Sequence, residues 1–435
     1  MDDVNKKHVA VIGAGLAGLI SALTIQKQGH QVTLIDKRHQ VGGLCGTFYI
    51  GEREFVIACN DFGEGLVKML AQLDVKLDFE YKKSSIFYRN KWFNASPDID
   101  MVKKLKGDWK NLCRLILAIL TQQLPFKKTQ TIGHFVDKHT TPGAVNDLAK
   151  IISYFMGVAP NDIQTSYFTL DKTYNYGYIN MACPVGGPQV MSDAIANEFT
   201  RLKGALRLNR HVTNVTPDND KYHIEFNNGK DEIIVDAVID TSERASNYSE
   251  GTKRGLPLSM LCLSVKKEFI YPEDTHTLSY YQENVSSWFT ALDKGEKPDK
   301  FGFHVFKSDL KQQIEDEYTI NAYFYLPRDI NQLDEEGRSY YCDYILSCLE
   351  QMLPGIKQHI VFQELITPDD FVHYHGLSSR VMPFIHHDNK PTIKTDNDNI
   401  LRAGHTIYPP GEHAGAAALS GYMAATHWLK KNNHT

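Results

Sequence analysis

Apolar positions cluster into short runs near the start of this chain and then spread to helical spacing. Val9-Ala10-Val11-Ile12 is one unbroken run, Gly13-Ala14-Gly15-Leu16-Ala17-Gly18 follows, and the pattern is helical over 16–28. A second run, Val32-Thr33-Leu34-Ile35, closes on Asp36. Short apolar runs bounded by glycine read as buried strands, so 8–36 predicts strand, helix, strand. Further on, 3.6-residue spacing predicts helices over 101–124, 132–138, 144–156, 192–202 and 335–352. Apolar runs predict strands over 256–265, 301–306 and 318–326. Asn227-Asn228-Gly229, between alternating runs, predicts a hairpin.

The first unit carries chemistry. A strand turning through Gly13 and Gly15 into a helix brings backbone N–H groups up to a pyrophosphate, and Gly18 lets the helix pack on the sheet. The helix, entered at Leu16 and Ala17, aims its positive end at the phosphates. Asp36 stands where a carboxylate accepts hydrogen bonds from the adenosine ribose, which disfavours a 2′-phosphate.

A second glycine cluster has no role in a plain NAD site. Lys37-Arg38-His39-Gln40-Val41-Gly42-Gly43-Leu44-Cys45-Gly46-Thr47 resembles the R-x-x-x-G-G-x-x-G-T signature of FAD enzymes in the flavin amine oxidase and phytoene desaturase superfamily. Val185-Gly186-Gly187-Pro188 and the closing segments 399–405 and 415–425 resemble the same family, so the likeness runs over nearly the whole chain. It implies an α/β fold, a Rossmann-type FAD-binding domain with an inserted α+β substrate domain of mixed sheet and helices. FAD contacts are implied at Gly42, Gly43, Leu44 and Thr47, with Lys37 and Arg38 near the adenosine end, Val212 at the adenine, and Gly404, His405 and Ala416 by the flavin and ribityl chain. His405 stands where many relatives have an acid. The implied FAD-binding domain is discontinuous (1–80, 185–250 and 392–435). The substrate-binding region takes 81–184, a mostly helical insertion, and 251–391, a β-rich one.

Composition narrows the chemistry. The chain has 435 residues, 42% of them apolar, and a net charge of −5, enough for more than one core and unsuited to nucleic acid. Seven scattered cysteines without C-x-x-C spacing indicate neither a disulfide framework, a zinc site nor a thiol pair at the flavin. A polar start with no signal peptide and no apolar run of spanning length points to the cytoplasm. His373, His375, His386 and His387 lack a carboxylate or thiolate partner at a recognised spacing, so no metal is expected. Segment 103–128 reads as a basic amphipathic helix suited to peripheral membrane contact or to covering a substrate cavity.

These features predict an FAD-dependent oxidoreductase of desaturase or dehydrogenase type, moving a hydride from a small lipophilic or amphiphilic substrate to flavin N5. The absence of lysine over 258–264, where amine oxidases usually bring one, favours this over an amine or amino-acid oxidase. The opening 36–43 also resembles UDP-galactopyranose mutases, so a redox-neutral flavin isomerase or flavin-binding redox sensor is the other class. Candidate proton-transfer groups are His405, Tyr408, Glu412 and His413, and candidate substrate-wall aromatics are Tyr174, Tyr176 and Tyr178. No second dinucleotide motif for NAD(P)H is present.

Overall fold

The computed structural model describes residues 6–95, 98–121, 130–176, 181–227, 232–242, 255–272, 275–307, 309–311, 314–377, 390–411 and 414–432, with backbone only at 168–171. His8–Ile12, Leu16–Gln26 and Gln31–Ile35 form the expected strand, helix and strand. His8–Ile12 sits at the centre of a five-stranded parallel sheet in the order Ile400–Arg402, Ala237–Asp240, His8–Ile12, Gln31–Ile35, Ala205–Arg207. Strands buried on both faces read as unbroken apolar runs, which is the pattern that 9–12 and 32–35 carry. Helices Leu16–Gln26, Pro188–Arg201 and Ala414–Asn432 pack together beside this sheet. Their approach depends on small residues: a Cβ at Gly18 would lie 1.8 Å from the Gly13 carbonyl oxygen, and one at Gly421 2.2 Å from that of Ala17.

A three-stranded antiparallel sheet, Val212–Asp218, Lys221–Phe226 and Glu232–Val235, flanks the nucleotide-binding sheet. The predicted turn residues 228 and 229 lie outside the described residues, but the strands on either side of them pair antiparallel.

The second large layer is a nine-stranded mixed sheet that includes Leu258–Lys266, Thr275–Tyr280, Phe303–Lys307, Glu317–Tyr325 and Ile360–Ile366. Phe79–Tyr88, Lys91–Asn94 and Met181–Pro184 also join it, so 81–184 is not uniformly helical. Phe79–Tyr88 mixes exposed charges at its start with buried aromatics at its end, a pattern without the clean alternation that marks a strand.

Two predicted helices are broken. The stretch 101–124 resolves into Ile99–Lys104, a short turn Lys106–Asp108, and Trp109–Thr121, because the Asp108 carboxylate is engaged by Asn111 Nδ2 (2.8 Å) and by the Val145 amide (2.9 Å). The stretch 144–156 divides into Ala144–Leu148 and Ile151–Phe155 around Lys150. That ammonium is drawn inward to Asp137 (2.6 Å), Asn146 (2.9 Å) and Ser286 (3.0 Å). Helix Glu335–Met352 forms as predicted, capped by the Asp334 side chain on the Gly337 amide.

Candidate functional site

The two layers meet around one continuous cavity of about 1440 Å³. Its polar end is the glycine turn. Gly13, Gly15, Leu16, Ala17, Asp36, Lys37, Gly42, Gly43 and Leu44 all line it, as do Val212, Thr241, Gly404 and His405. The Gly42 amide donates to the Ala14 carbonyl (2.8 Å), which lays the second glycine cluster on the first. Gly42, at φ 111°, takes a conformation that side chains rarely adopt. The Asp36 carboxylate accepts from the amides of Ala14 (2.7 Å) and Arg38 (2.8 Å), so it braces the turn while facing the cavity.

This end fits a dinucleotide. An added Cβ on Gly15 would meet no atom nearer than Gly43 Cα at 3.9 Å, so the open space lies where a phosphate must approach. Behind the lining, the Arg38 guanidinium is buried, and its Nε and Nη1 have no hydrogen-bond partner among the described residues. Buried, unpaired guanidinium donors call for an anionic or polar ligand. His405 Nε2 is likewise buried without a described partner, and desolvation with the nearby Lys390 ammonium lowers that imidazole to about 4. It is therefore neutral near pH 7, while Lys390 Nζ donates to the His405 and Gly411 carbonyls.

Several expected contacts fall elsewhere. Gly18 lies off the cavity lining, where its missing Cβ admits the Gly13 carbonyl, in keeping with the packing role expected of it. Thr47 is also off the wall: its hydroxyl donates to Glu54 Oε1 at 2.6 Å inside a two-stranded hairpin. Arg38 sits behind the lining, and Ala416 is replaced on the wall by Ala414 and Ala417, since it packs by Tyr176 and Gly411. The Tyr174 and Tyr408 hydroxyls hydrogen-bond each other at 2.8 Å, Tyr176 stacks on Tyr174 at 5.2 Å, and the Tyr176 hydroxyl donates to the Pro410 carbonyl. The structure places these three tyrosines outside the cavity lining, as packing between the 174–176 segment and the loop before the last helix. Tyr178, Glu412 and His413 lie outside the described residues.

The other end of the cavity is apolar. One wall is helical, with Leu105, Leu112, Leu115, Ile119, Phe155 and Met156 among its residues, and the opposite wall is the sheet, with Leu258, Phe306, Tyr323 and Tyr325. The 106–121 stretch thus covers a chamber, one of the two roles its amphipathic pattern allowed. Lys37 is the sole lysine among the described lining residues, and Lys266 lies at the exposed end of its strand opposite Glu317.

Sequence reasoning missed the polar groups where the two ends join. Asp61 lines the cavity with no described side-chain partner, and desolvation raises its carboxyl to about 6. Its neighbour Asn60 bonds His276, whose ring burial lowers to about 4. His304 also lines the chamber; Tyr154 Oη lies 3.0 Å from its Nδ1, Tyr323 stacks on it at 5.4 Å, and burial lowers it to about 4. An acid in the polar break Cys59-Asn60-Asp61 between two apolar strands was the available signal for the first of these. His304 alternates with strand residues and carried none.

His375 is buried against Phe48 and Phe371, and desolvation with the nearby Arg38 lowers it to about 3. His386 and His387 lie outside the described residues. Among the described residues, no cluster of three or more His, Cys, Asp or Glu side chains is arranged to hold a metal, and no helix is long and apolar enough to cross a membrane.

A glycine-lined dinucleotide cradle that opens into an apolar chamber is the arrangement of a nucleotide-binding protein. The family described as flavin containing amine oxidoreductase matches residues 16–246, more than half of the chain. This chain belongs to that family and is an FAD-dependent oxidoreductase. It is 22% identical over 466 residues to a 4,4'-diapolycopen-4-al dehydrogenase from Metabacillus indicus, with 93% of each chain covered. It is 54% identical over 41 residues to the flavin-containing monooxygenase FMO GS-OX4 of Arabidopsis thaliana, so the match spans 9% of the length of that relative. Its fold is similar to that of an oxidoreductase from Methanosarcina mazei, at TM-score 0.69 and 12% identity, covering 96% of this chain and 100% of that one.

Proposed function

We propose that this enzyme oxidises a lipophilic or amphiphilic small molecule, in the manner of a desaturase or dehydrogenase. The observation that carries the reading is the continuity of the cavity: the nucleotide cradle leads directly into a chamber walled by aliphatic and aromatic side chains. Its about 1440 Å³ exceeds the roughly 300–1,000 Å³ usual for one small ligand, so a cofactor and a substrate have room together. The dehydrogenase relative from Metabacillus indicus, named for a polyene aldehyde, adds support. The reading divides the chain into an FAD-binding unit of 1–80, 185–250 and 392–435 and a substrate-binding unit of 81–184 and 251–391, in the cytoplasm.

When bound, FAD supplies the two-electron acceptor. The chain supplies the rest. Gly13, Gly15, Gly42, Gly43, Asp36 and Val212 hold the nucleotide, the chamber walls orient the substrate and exclude water, and neutral His405 lines the cavity. Asp61 takes the proton that leaves with the substrate's oxidation, because its desolvated carboxyl, bonded to its own backbone amide, is raised to about 6. Anaerobic mixing with polyenes, long-chain acyl compounds and amines tests the substrate class. Flavin bleaching by apolar substrates without NAD(P)H is the expected result. Bleaching by amines alone would replace this reading with amine oxidation, a second reading that the Asp61 carboxylate supports as a partner for an ammonium. No bleaching by any of them would favour an isomerase or sensor.

The chamber's mouth supports uptake from a membrane surface. Val102 (50% exposed) and Ile116 (46% exposed) line the cavity and also face solvent, beside exposed Ile99, Trp109, Leu117 and Leu120. Exposed Lys103, Lys106, Lys110 and Arg114 frame that patch. Each basic residue near an anionic bilayer contributes about 1 kcal/mol. Cosedimentation with phosphatidylserine vesicles but not phosphatidylcholine vesicles is expected, with loss of binding in the Leu117→Asp/Leu120→Asp variant. Equal sedimentation of wild type and variant removes the membrane role.

A further inference from the structure

Two thiols share the cofactor cavity. Cys45 follows Leu44 in the glycine-rich turn, Cys59 precedes Asn60 and Asp61, and both line the cavity. The chain between them is the hairpin of Thr47–Ile50 and Arg53–Val56. Its base is clamped by backbone hydrogen bonds from the Ile57 amide to the Gly46 carbonyl (3.0 Å) and from the Cys59 amide to the Leu44 carbonyl (3.2 Å). The clamp sets Cys59 opposite Leu44, the neighbour of Cys45, and the Cys59 thiol lies close enough to act on that of Cys45. Cys45 is pinned further: its amide donates to the Gly42 carbonyl (2.9 Å) and its carbonyl accepts from Ser192 Oγ (3.0 Å).

The neighbouring Cys59 thiol and burial hold the Cys45 thiol well above its usual range, so Cys45 rests as the protonated thiol. Cys262 and Cys348 are buried and off the cavity wall, which is the inert structural condition. A contacting pair that opens onto a redox cofactor's cavity is a different arrangement. Chain geometry already holds the sulfurs adjacent, and an electron acceptor shares their cavity.

We propose that Cys45 and Cys59 are a dithiol–disulfide couple that exchanges two electrons with the FAD bound in this cavity, an inference that rests on the cofactor assignment above. In the oxidising direction both S–H bonds break and the Sγ–Sγ bond forms. Two electrons and one proton pass to FAD, giving FADH⁻, and the second proton goes to solvent. In the other direction FADH⁻ and a proton break the disulfide and restore both thiols. The couple adds a second two-electron store to the site, and its disulfide form staples the base of the hairpin.

The test uses the purified holoenzyme. After mild oxidation with diamide, denaturation, capping of free thiols and digestion, mass spectrometry is expected to find the Cys45 and Cys59 peptides joined, with both capped instead in dithiothreitol-treated protein. In anaerobic dithionite titration the oxidised wild type is expected to take twice the reducing equivalents per FAD that the Cys59→Ser variant takes. If a serine variant folds poorly, the wild-type peptide map and titration decide alone. Free Cys45 and Cys59 after oxidation, with a wild-type titration complete at one two-electron equivalent per FAD, overturn the couple and leave the cofactor assignment standing. A protein that is colourless and takes up no FAD overturns both.

Discussion

Asp61→Asn is expected to slow flavin reduction by the substrate about 10²–10⁴-fold, the usual cost of losing a positioned general base, while FAD stays bound. In the wild type the reduction rate should rise with pH through about 6, where the desolvated carboxyl ionises, and this limb should vanish in the variant. Stability should move the other way. A carboxyl held above its ordinary 3.8 stabilises the fold most below that value, and the contribution is lost as pH rises through about 6. At about 1.4 kcal/mol per pKa unit, the ionised group costs on the order of 3 kcal/mol near neutral pH before cavity water is allowed for. The asparagine variant should therefore unfold at a higher temperature than wild type at pH 8 and at nearly the same temperature at pH 4. An unchanged reduction rate would remove Asp61 from the chemistry. A lower melting temperature at pH 8 would show that the carboxylate is paired in solution.

Gly15→Leu should give a folded protein with a lowered FAD content. Gly15 has φ −71°, a conformation open to any residue, and its missing Cβ points to free space, so the backbone tolerates the change. The new side chain occupies the pyrophosphate's approach. Overpacking of about 1–3 kcal/mol corresponds to roughly 5- to 150-fold weaker FAD binding. FAD released on denaturation, set against protein concentration, measures the effect, and circular dichroism checks the fold. Full FAD content in the variant would place the pyrophosphate elsewhere. Gly18→Ala is the control for a structural glycine: its Cβ would meet the Gly13 carbonyl oxygen at 1.8 Å, so it should lower stability as well as occupancy.

The cofactor end of the molecule was legible because its signals are local. A strand, a glycine turn, a helix and a closing acid occupy consecutive positions, and each glycine answers a backbone requirement within the same short segment. Helix Glu335–Met352 was legible for the same reason, through its periodic pattern. Within the cofactor motif the errors were errors of direction. Thr47 and Ala416 lie in the right segments, but the Glu54 partner of one and the Tyr176 neighbour of the other turn them from the cavity.

The substrate end was hidden because its contacts join distant parts of the chain. Asp108 breaks one predicted helix partly through the amide of Val145, and Lys150 breaks another by reaching Ser286. Tyr174 and Tyr176 read as a substrate wall in sequence and Tyr408 as a proton-transfer group, yet they satisfy their hydroxyls on one another and on Pro410. Motif and spacing by themselves determined that this protein holds a dinucleotide on a parallel sheet, since that chemistry needs only neighbouring residues. Only the tertiary structure decided which groups face the cavity, because burial and long-range hydrogen bonding determine whether Asp61, Cys59 and His304 meet an open cavity or a packed core.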